Sequence, residues 1–245
     1  MAANLGAEVD LITRVSREYD RAVFEGLTVR ELPAAAACRY ANRYDERGNR
    51  TQQLLHPGEP LDLALAGCPG ADACVIAPAY HEFTGRLPSC EAPVRAVLLQ
   101  SALRATEGER VVSHPDPLGQ ALLLVSPGVW VFLSEEDAID SDGLARTLAK
   151  RGCHVFVTRA HRGATLFEEF SERAFPAIQA ESVADPTGAG DCFAAAFVVR
   201  LAETGDVPAS IRFALAAGSL AVEDTGIVGI PSRHAIERRL EREAA

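Results

Sequence analysis

The chain has 245 residues, 48% of them apolar and 24% charged, which provides for one large domain, or two small ones, with a sizeable buried core. Its net charge of −10 sets up a field that repels nucleic acid and anionic membrane, so neither is an expected partner. Any phosphate-bearing ligand must then be held by local geometry.

The first periodic segment, "GAEVDLITRV" (6–15), reads as a strand with only five residues ahead of it. Two alternating segments follow, "AACRYANRY" (36–44) and "NRTQQLL" (49–55), joined by the turn-forming "DERGN". Their polar faces predict a small exposed hairpin, a flap more than a core element, and "HPGEP" (56–60) is the candidate boundary between flap and core. "ADACVIAPA" (71–79) is a continuous apolar run, the pattern of a strand covered on both faces, and "VRAVLLQ", "GVWVFLS" and "CHVFVTR" repeat it. Between the last two, "SDGLARTLAKRG" (141–152) predicts an amphipathic helix closed by a lysine, an arginine and Gly152. Strands alternating with helices predict an α/β fold, a mostly parallel sheet with helices on both faces. "CFAAAFVVRLAE" is apolar nearly all round and should be a buried helix. "PASIRFALAAGSLAVED" predicts a second helix, entered through Asp206 and Pro208.

The six cysteines (38, 68, 74, 90, 153 and 192) form no CxxC pair and share no spacing with histidines. They read as buried reduced thiols, not as a zinc or redox site. The histidines are scattered, and none pairs with a serine or cysteine nucleophile. No apolar run of about 18 residues and no basic-then-apolar leader occurs, so a cytoplasmic location is expected.

One stretch looks like chemistry rather than scaffold: "DPTGAGD", residues 185–191, at the mouth of the buried helix. Its glycines let backbone N–H groups crowd into a concave nest, and the helix N-terminus adds partial positive charge. Such a nest stabilises anions, including the charge that builds on a phosphoryl group in transfer. Asp191 either caps the helix or takes a proton from an attacking hydroxyl. Spacing alone leaves a purely structural turn open.

The block from "VTRAHRGATLF" through "DPTGAGDCFAAAF" resembles the C-terminal signature of the ribokinase-like, or phosphofructokinase-B-type, carbohydrate kinases. Within it the Asp-x-Thr-Gly-Ala-Gly-Asp motif is highly specific, and the likeness reaches back through "VFLSEEDA" and "APAYHEF" to the hairpin at 36–56. The resemblance implies a single ribokinase-like α/β domain over 1–245, with 36–56 as a lid-like hairpin. It implies phosphoryl transfer from ATP, with magnesium, to a hydroxyl of a small sugar, an inositol-like polyol or a nucleoside. Asp191 would be the catalytic base, and Thr187 with the amides of Gly188, Ala189 and Gly190 would hold the transferred phosphate.

Thr158 and Gly163 match the family's nucleotide-side T-x-G-x-x-G segment, with Ala160 in place of its first glycine. Ser134 and Asp137 stand where many relatives carry an Asn-x-x-Glu tied to magnesium, although an acidic helix start explains them equally. Asp185 and "VEDTGIVGI" lie where some relatives bind a monovalent cation. Asn42 and Tyr44 on the lid are candidate substrate contacts, beside the blander reading of an exposed polar hairpin.

Relatives begin with a further strand carrying a substrate-binding aspartate and a Gly-Gly segment, and "NLGAEV" resembles the end of the helix that follows. Three explanations stand open: a longer natural chain, a sheet completed by a second copy in a homodimer, or a remnant that binds nucleotide or metabolite without efficient turnover.

Overall fold

The computed structural model describes residues 1–44, 50–61, 70–83 and 91–244. The chain enters through a short 3-10 turn, Ala3–Leu5, closed by Gly6 in the left-handed region (φ 86°). Leu5 is buried, and its carbonyl accepts a bond from Arg233 Nε at 2.9 Å. The turn delays the expected first strand, so β1 (Asp10–Ser16) starts later than the apolar pattern suggests and pairs in parallel with β2 (Thr28–Ala34).

The predicted hairpin forms as β3 (Arg39–Tyr44) and β4 (Arg50–His56), antiparallel with Asn42 opposite Gln52. It does not stand alone. Two short strands from much later in the chain, β7 (Arg104–Glu107) and β8 (Arg110–Ser113), join it in a four-stranded antiparallel sheet of order β3-β4-β8-β7.

The central sheet contains β5 (Ala73–Ile76), β6 (Val94–Leu98), β9 (Trp130–Ser134), β10 (His154–Thr158), β11 (Ala164–Glu168) and β12 (Ser171–Phe175). Its order is β12-β11-β10-β9-β6-β5. β5, β6, β9 and β10 run parallel, and β11 and β12 return antiparallel. β5 is an edge strand with Val75 44% exposed, which corrects the expectation of a strand covered on both faces. A short apolar run has the same composition in either place, so the pattern cannot separate them.

The inner strands alternate between two cores, as a sheet covered on both faces must. On one face Trp130, Phe132, Phe156 and Leu166 pack beneath α3 (Ala189–Thr204) and α4 (Val207–Ala221), with Ile236 of α5 (Arg233–Ala244) in the same core. On the other face Val131, Leu133, Val155 and Val157 meet α1 (Pro117–Leu124) and α2 (Ser141–Ala149). Each fully buried side chain of this size contributes about 1.5–3 kcal/mol of transfer free energy. α3 is buried on most of its surface, as its uniform apolarity predicts, because it lies between the sheet and α4. The close α3–α4 approach runs over Gly218, whose Cα faces Phe193 and the carbonyl of Ala189. Asp206 caps α4 by accepting from the Ala209 amide at 3.0 Å. Cys153 and Cys192 are buried and Cys38 and Cys74 partly so, while Cys68 and Cys90 lie outside the described residues. No helix among the described residues is long and apolar enough to cross a membrane.

Candidate active site

Ligands of open parallel sheets collect at the carboxyl ends of the strands, where the loops converge. In this chain the loop after β5 carries His81 and Glu82, and the loop after β6 leads into Arg104. The turn after β9 carries Ser134 and Asp137, and the turn after β10 carries Thr158 and Gly163. α3 runs back against the strands, since Phe193 packs on Phe132 in the middle of β9 and Phe197 packs on Trp130 at its start. The N-terminus of α3, with Asp191, therefore lies over the same end of the sheet.

The turn before α3 is built by two devices. The Asp185 carboxylate accepts from the Thr187 hydroxyl and, at 2.9 Å, from the Thr187 amide, and these bonds, with one from the Gly226 amide, hold it below the usual carboxylate range. The amides of Ala184 and Asp185 in turn donate to the Val222 carbonyl at 2.7 and 3.2 Å, fixing the segment to the end of α4. Gly188 then takes a left-handed φ of 84° at the N-cap position, a conformation open to glycine at little cost.

The helix start is left open. The Ala189 amide makes a long 3.4 Å bond to the Pro186 carbonyl, while those of Gly188, Gly190 and Asp191 have no acceptor among the described residues. A Cβ placed on Gly188 or Gly190 would meet nothing within 4 Å, so the space before these amides is clear. Unpaired N–H groups at an uncrowded helix N-terminus fit an oxyanion such as a phosphate.

Asp191 lies three residues into this helix, and its carboxylate accepts no bond from the described chain. Gly188 occupies the N-cap position, so the capping role open to Asp191 in the sequence is not taken up. The carboxylate is reachable by solvent, yet its recess strips part of its hydration and pushes it above the usual carboxylate range. The Arg104 guanidinium pulls it partly back. A carboxylate with free lone pairs and raised basicity, beside an anion nest, can accept a proton from a hydroxyl attacking the held phosphate.

Thr158 and Ser134 stand directly opposite one another at the ends of neighbouring strands, and the Glu135 amide donates to the Thr158 carbonyl at 3.0 Å. Gly163 is buried against the next hairpin, and a Cβ there would lie 2.1 Å from the Phe175 carbonyl oxygen. Ala160, where the family motif has glycine, adopts a left-handed φ of 48°. The backbone thus keeps the conformation a glycine would take, and an alanine carries it with strain of roughly 1–2 kcal/mol.

Ser134 and Asp137 close a turn on each other. Asp137 Oδ2 accepts from the Ser134 amide at 2.7 Å, and Ser134 Oγ accepts from the Glu136 amide at 3.3 Å. Asp137 is buried, and Glu135 is bridged to Arg159 and Arg162. No three His, Cys, Asp or Glu side chains cluster as a metal cage among the described residues. Magnesium, which keeps several waters and leans on substrate phosphates, does not require one.

On the lid side, Asn42 is exposed, and its Oδ1 accepts from Gln52 Nε2 at 2.8 Å. The side chain of Tyr44 lies outside the described residues. The residue that reaches from the lid toward the sheet is Tyr40, on the same face of β3 as Asn42. Its hydroxyl donates to the Ala79 carbonyl at 2.8 Å, and Arg104 Cζ sits 5.0 Å from its ring centroid. His81 holds a strained φ of 41° and bonds the Arg104 carbonyl at 2.7 Å through Nε2. Tyr40, His81 and Arg104 were not among the candidates from the sequence. Stepping by two from Asn42 along β3 points to Tyr40, but nothing local marks Arg104 as a neighbour of Asp191.

Residues 79–233, more than half of the chain, match the model of the pfkB family of carbohydrate kinases. A ribokinase from Bacillus subtilis (strain 168) is 39% identical over 98 residues, 40% of this chain and 33% of that protein, so the alignment spans a third of the curated relative. A pyrophosphate-dependent kinase of the ribokinase family, solved as a sulfate complex, superposes with a TM-score of 0.73 at 19% identity, covering 100% of this chain and 88% of its own. A Burkholderia thailandensis nucleoside kinase in complex with inosine superposes with a TM-score of 0.72 at 18% identity, covering 98% and 82%. These superpositions establish a ribokinase-like fold. By the family match over the strand ends and the helix turn just described, the chain belongs to the pfkB family of carbohydrate kinases.

Proposed function

We propose that the chain is a phosphotransferase that moves a phosphoryl group from ATP to a hydroxyl of a small sugar, polyol or nucleoside, working as a single domain with the 36–56 hairpin as part of its lid. One observation carries this reading: an unbonded carboxylate of raised pKa, Asp191, beside the open amides of Gly188 and Gly190. In the proposed reaction Asp191 takes the proton of the attacking hydroxyl. The amides at the start of α3, with Thr187, hold the phosphoryl group as negative charge develops on it. Thr158 and Gly163 face the donor side. Magnesium, when bound, neutralises donor phosphate charge, and Ser134, Asp137 and Asp185 are the residues that would steady its water shell. Asn42 and Tyr44 border the acceptor from the lid.

The test is an ATP-consumption screen over sugars, polyols and nucleosides, with pyrophosphate as a second donor. ATP consumed in step with one acceptor class supports the reading. Donor binding by calorimetry without turnover on any acceptor overturns it in favour of a binding protein built on the same fold.

A further inference from the structure

The turn and base described above account for the donor and for proton removal, but they leave one charged group without a task. Arg104 is half-buried at the start of β7, in a chain whose net charge is −10. Three other arginines removed from solvent are matched to carboxylates, Arg14 to Glu59, Arg159 to Asp142 and Arg239 to Glu223, while Arg95 is satisfied by the Pro127 carbonyl and Ser126 Oγ. Arg104 has no carboxylate ion pair among the described residues. Its guanidinium instead lies over the Tyr40 ring at 5.0 Å and also bonds the Tyr40 hydroxyl, and its backbone carbonyl is fixed by His81 at 2.7 Å. Tyr40 is fixed in turn through its hydroxyl to Ala79 and edge-on to Tyr80 at 6.4 Å.

A guanidinium carries several N–H donors, so one held in this way keeps donors beyond its bond to Tyr40, and those match a carboxylate or phosphate in a two-bond fork. The structure joins this cation to the base from two directions. β7 follows directly on the loop after β6, at the strand ends over which α3 begins, and the Arg104 charge is felt at Asp191. Tyr40 places the same guanidinium against the lid. Arg104 therefore lies between the lid and the proposed base, where an acceptor would sit.

We infer that Arg104 is a specificity-determining residue, and that the acceptor carries an oxyanion, a carboxylate or a phosphate, beside the hydroxyl that is phosphorylated. This rests on the reading of the site as a phosphotransferase. It narrows the acceptor from neutral polyols and nucleosides to sugar acids or sugar phosphates. An acceptor of that kind supplies a counter-charge to Arg104, while the −10 chain as a whole does nothing to attract it.

Calorimetry without donor tests the inference with two matched pairs, glucose against gluconate and ribose against ribose 5-phosphate. The native chain is expected to bind the anionic member of at least one pair tenfold or more tighter than the neutral one, and the pair that responds tells carboxylate from phosphate. Arg104→Gln should erase that difference, Arg104→Lys should keep part of it, and both should keep ATP affinity within about twofold of native. Equal binding of the two members of each pair by the native chain, or no binding of either, overturns the inference. So does a preference that survives in Arg104→Gln in a variant whose melting temperature matches native. A kcat loss that is equal on neutral and anionic acceptors, with KM unmoved, would assign Arg104 to the transferred phosphoryl group and also overturn it. Turnover separates the two readings. Arg104-dependent anion binding without ATP consumption leaves this inference standing and sinks the kinase, whereas turnover of a neutral acceptor untouched by Arg104→Gln does the reverse.

Discussion

Replacing Asp191 by asparagine changes one oxygen for an NH₂ group at the same volume, so it isolates proton acceptance from packing. The loss of a positioned general base lowers kcat by about 10²–10⁴. The stability change is expected to be small, and the structure says why. The Asp191 carboxylate accepts no bond from the described chain, Gly188 occupies the cap position, and the core side chains of α3 begin at Cys192. Two modest effects then oppose each other. The negative charge at the helix start interacts favourably with the helix dipole by about 0.3–1 kcal/mol. Against it, the recess raises the folded pKa, so the folded state binds the proton more tightly than the unfolded chain, and ionisation at neutral pH subtracts from stability. The net change should stay within about 1 kcal/mol, or roughly 2–4 °C in Tm for a chain of this size. Steady-state turnover on a confirmed acceptor, thermal melts and ATP calorimetry on the same preparation measure the three quantities. Wild-type turnover in Asp191→Asn refutes the base assignment. A fall in Tm well beyond 4 °C would instead show that the carboxylate holds the helix start together.

Gly190→Val should weaken ATP binding at least tenfold by calorimetry while leaving Tm unchanged or higher, because Gly190 is helical and its missing Cβ faces the open space of the nest. Gly163→Ala should destabilise by at least about 2 kcal/mol in chemical denaturation, since its Cβ would lie 2.1 Å from the Phe175 carbonyl oxygen and its φ is +95°. The acid limb of kcat/KM should lie above the pKa of an ordinary aspartate, because desolvation raises Asp191 and the base acts only when ionised. Arg104→Gln, which removes the charge that lowers Asp191, should move that limb to still higher pH, and an unmoved limb would show that the two groups do not interact.

The family, the α/β layering and the glycine turn ahead of α3 were legible in the sequence because each rests on local chemistry. The continuous apolar runs of β6, β9 and β10 state that both faces are covered, and a nest such as 185–191 is made by consecutive residues whose glycines permit it. The cap at Asp206, read by position, is local in the same sense.

What the tertiary structure alone decided is adjacency between distant segments. The sequence marks the hairpin at 36–56 but not its union with β7 and β8, because strand pairing over more than fifty residues leaves no periodic trace. For the same reason the edge position of β5, the closed turn between Ser134 and Asp137, and the strained φ of Ala160 had to be seen in three dimensions. The plainest case is Arg104. In one dimension it is an unremarkable arginine ahead of a turn, 87 residues from Asp191. Only the antiparallel run of α3 over the strand ends, and the stacking of Tyr40 from the lid, bring its charge to the carboxylate. Electrostatic interaction depends on distance through space and on local desolvation, and neither quantity is written along the chain.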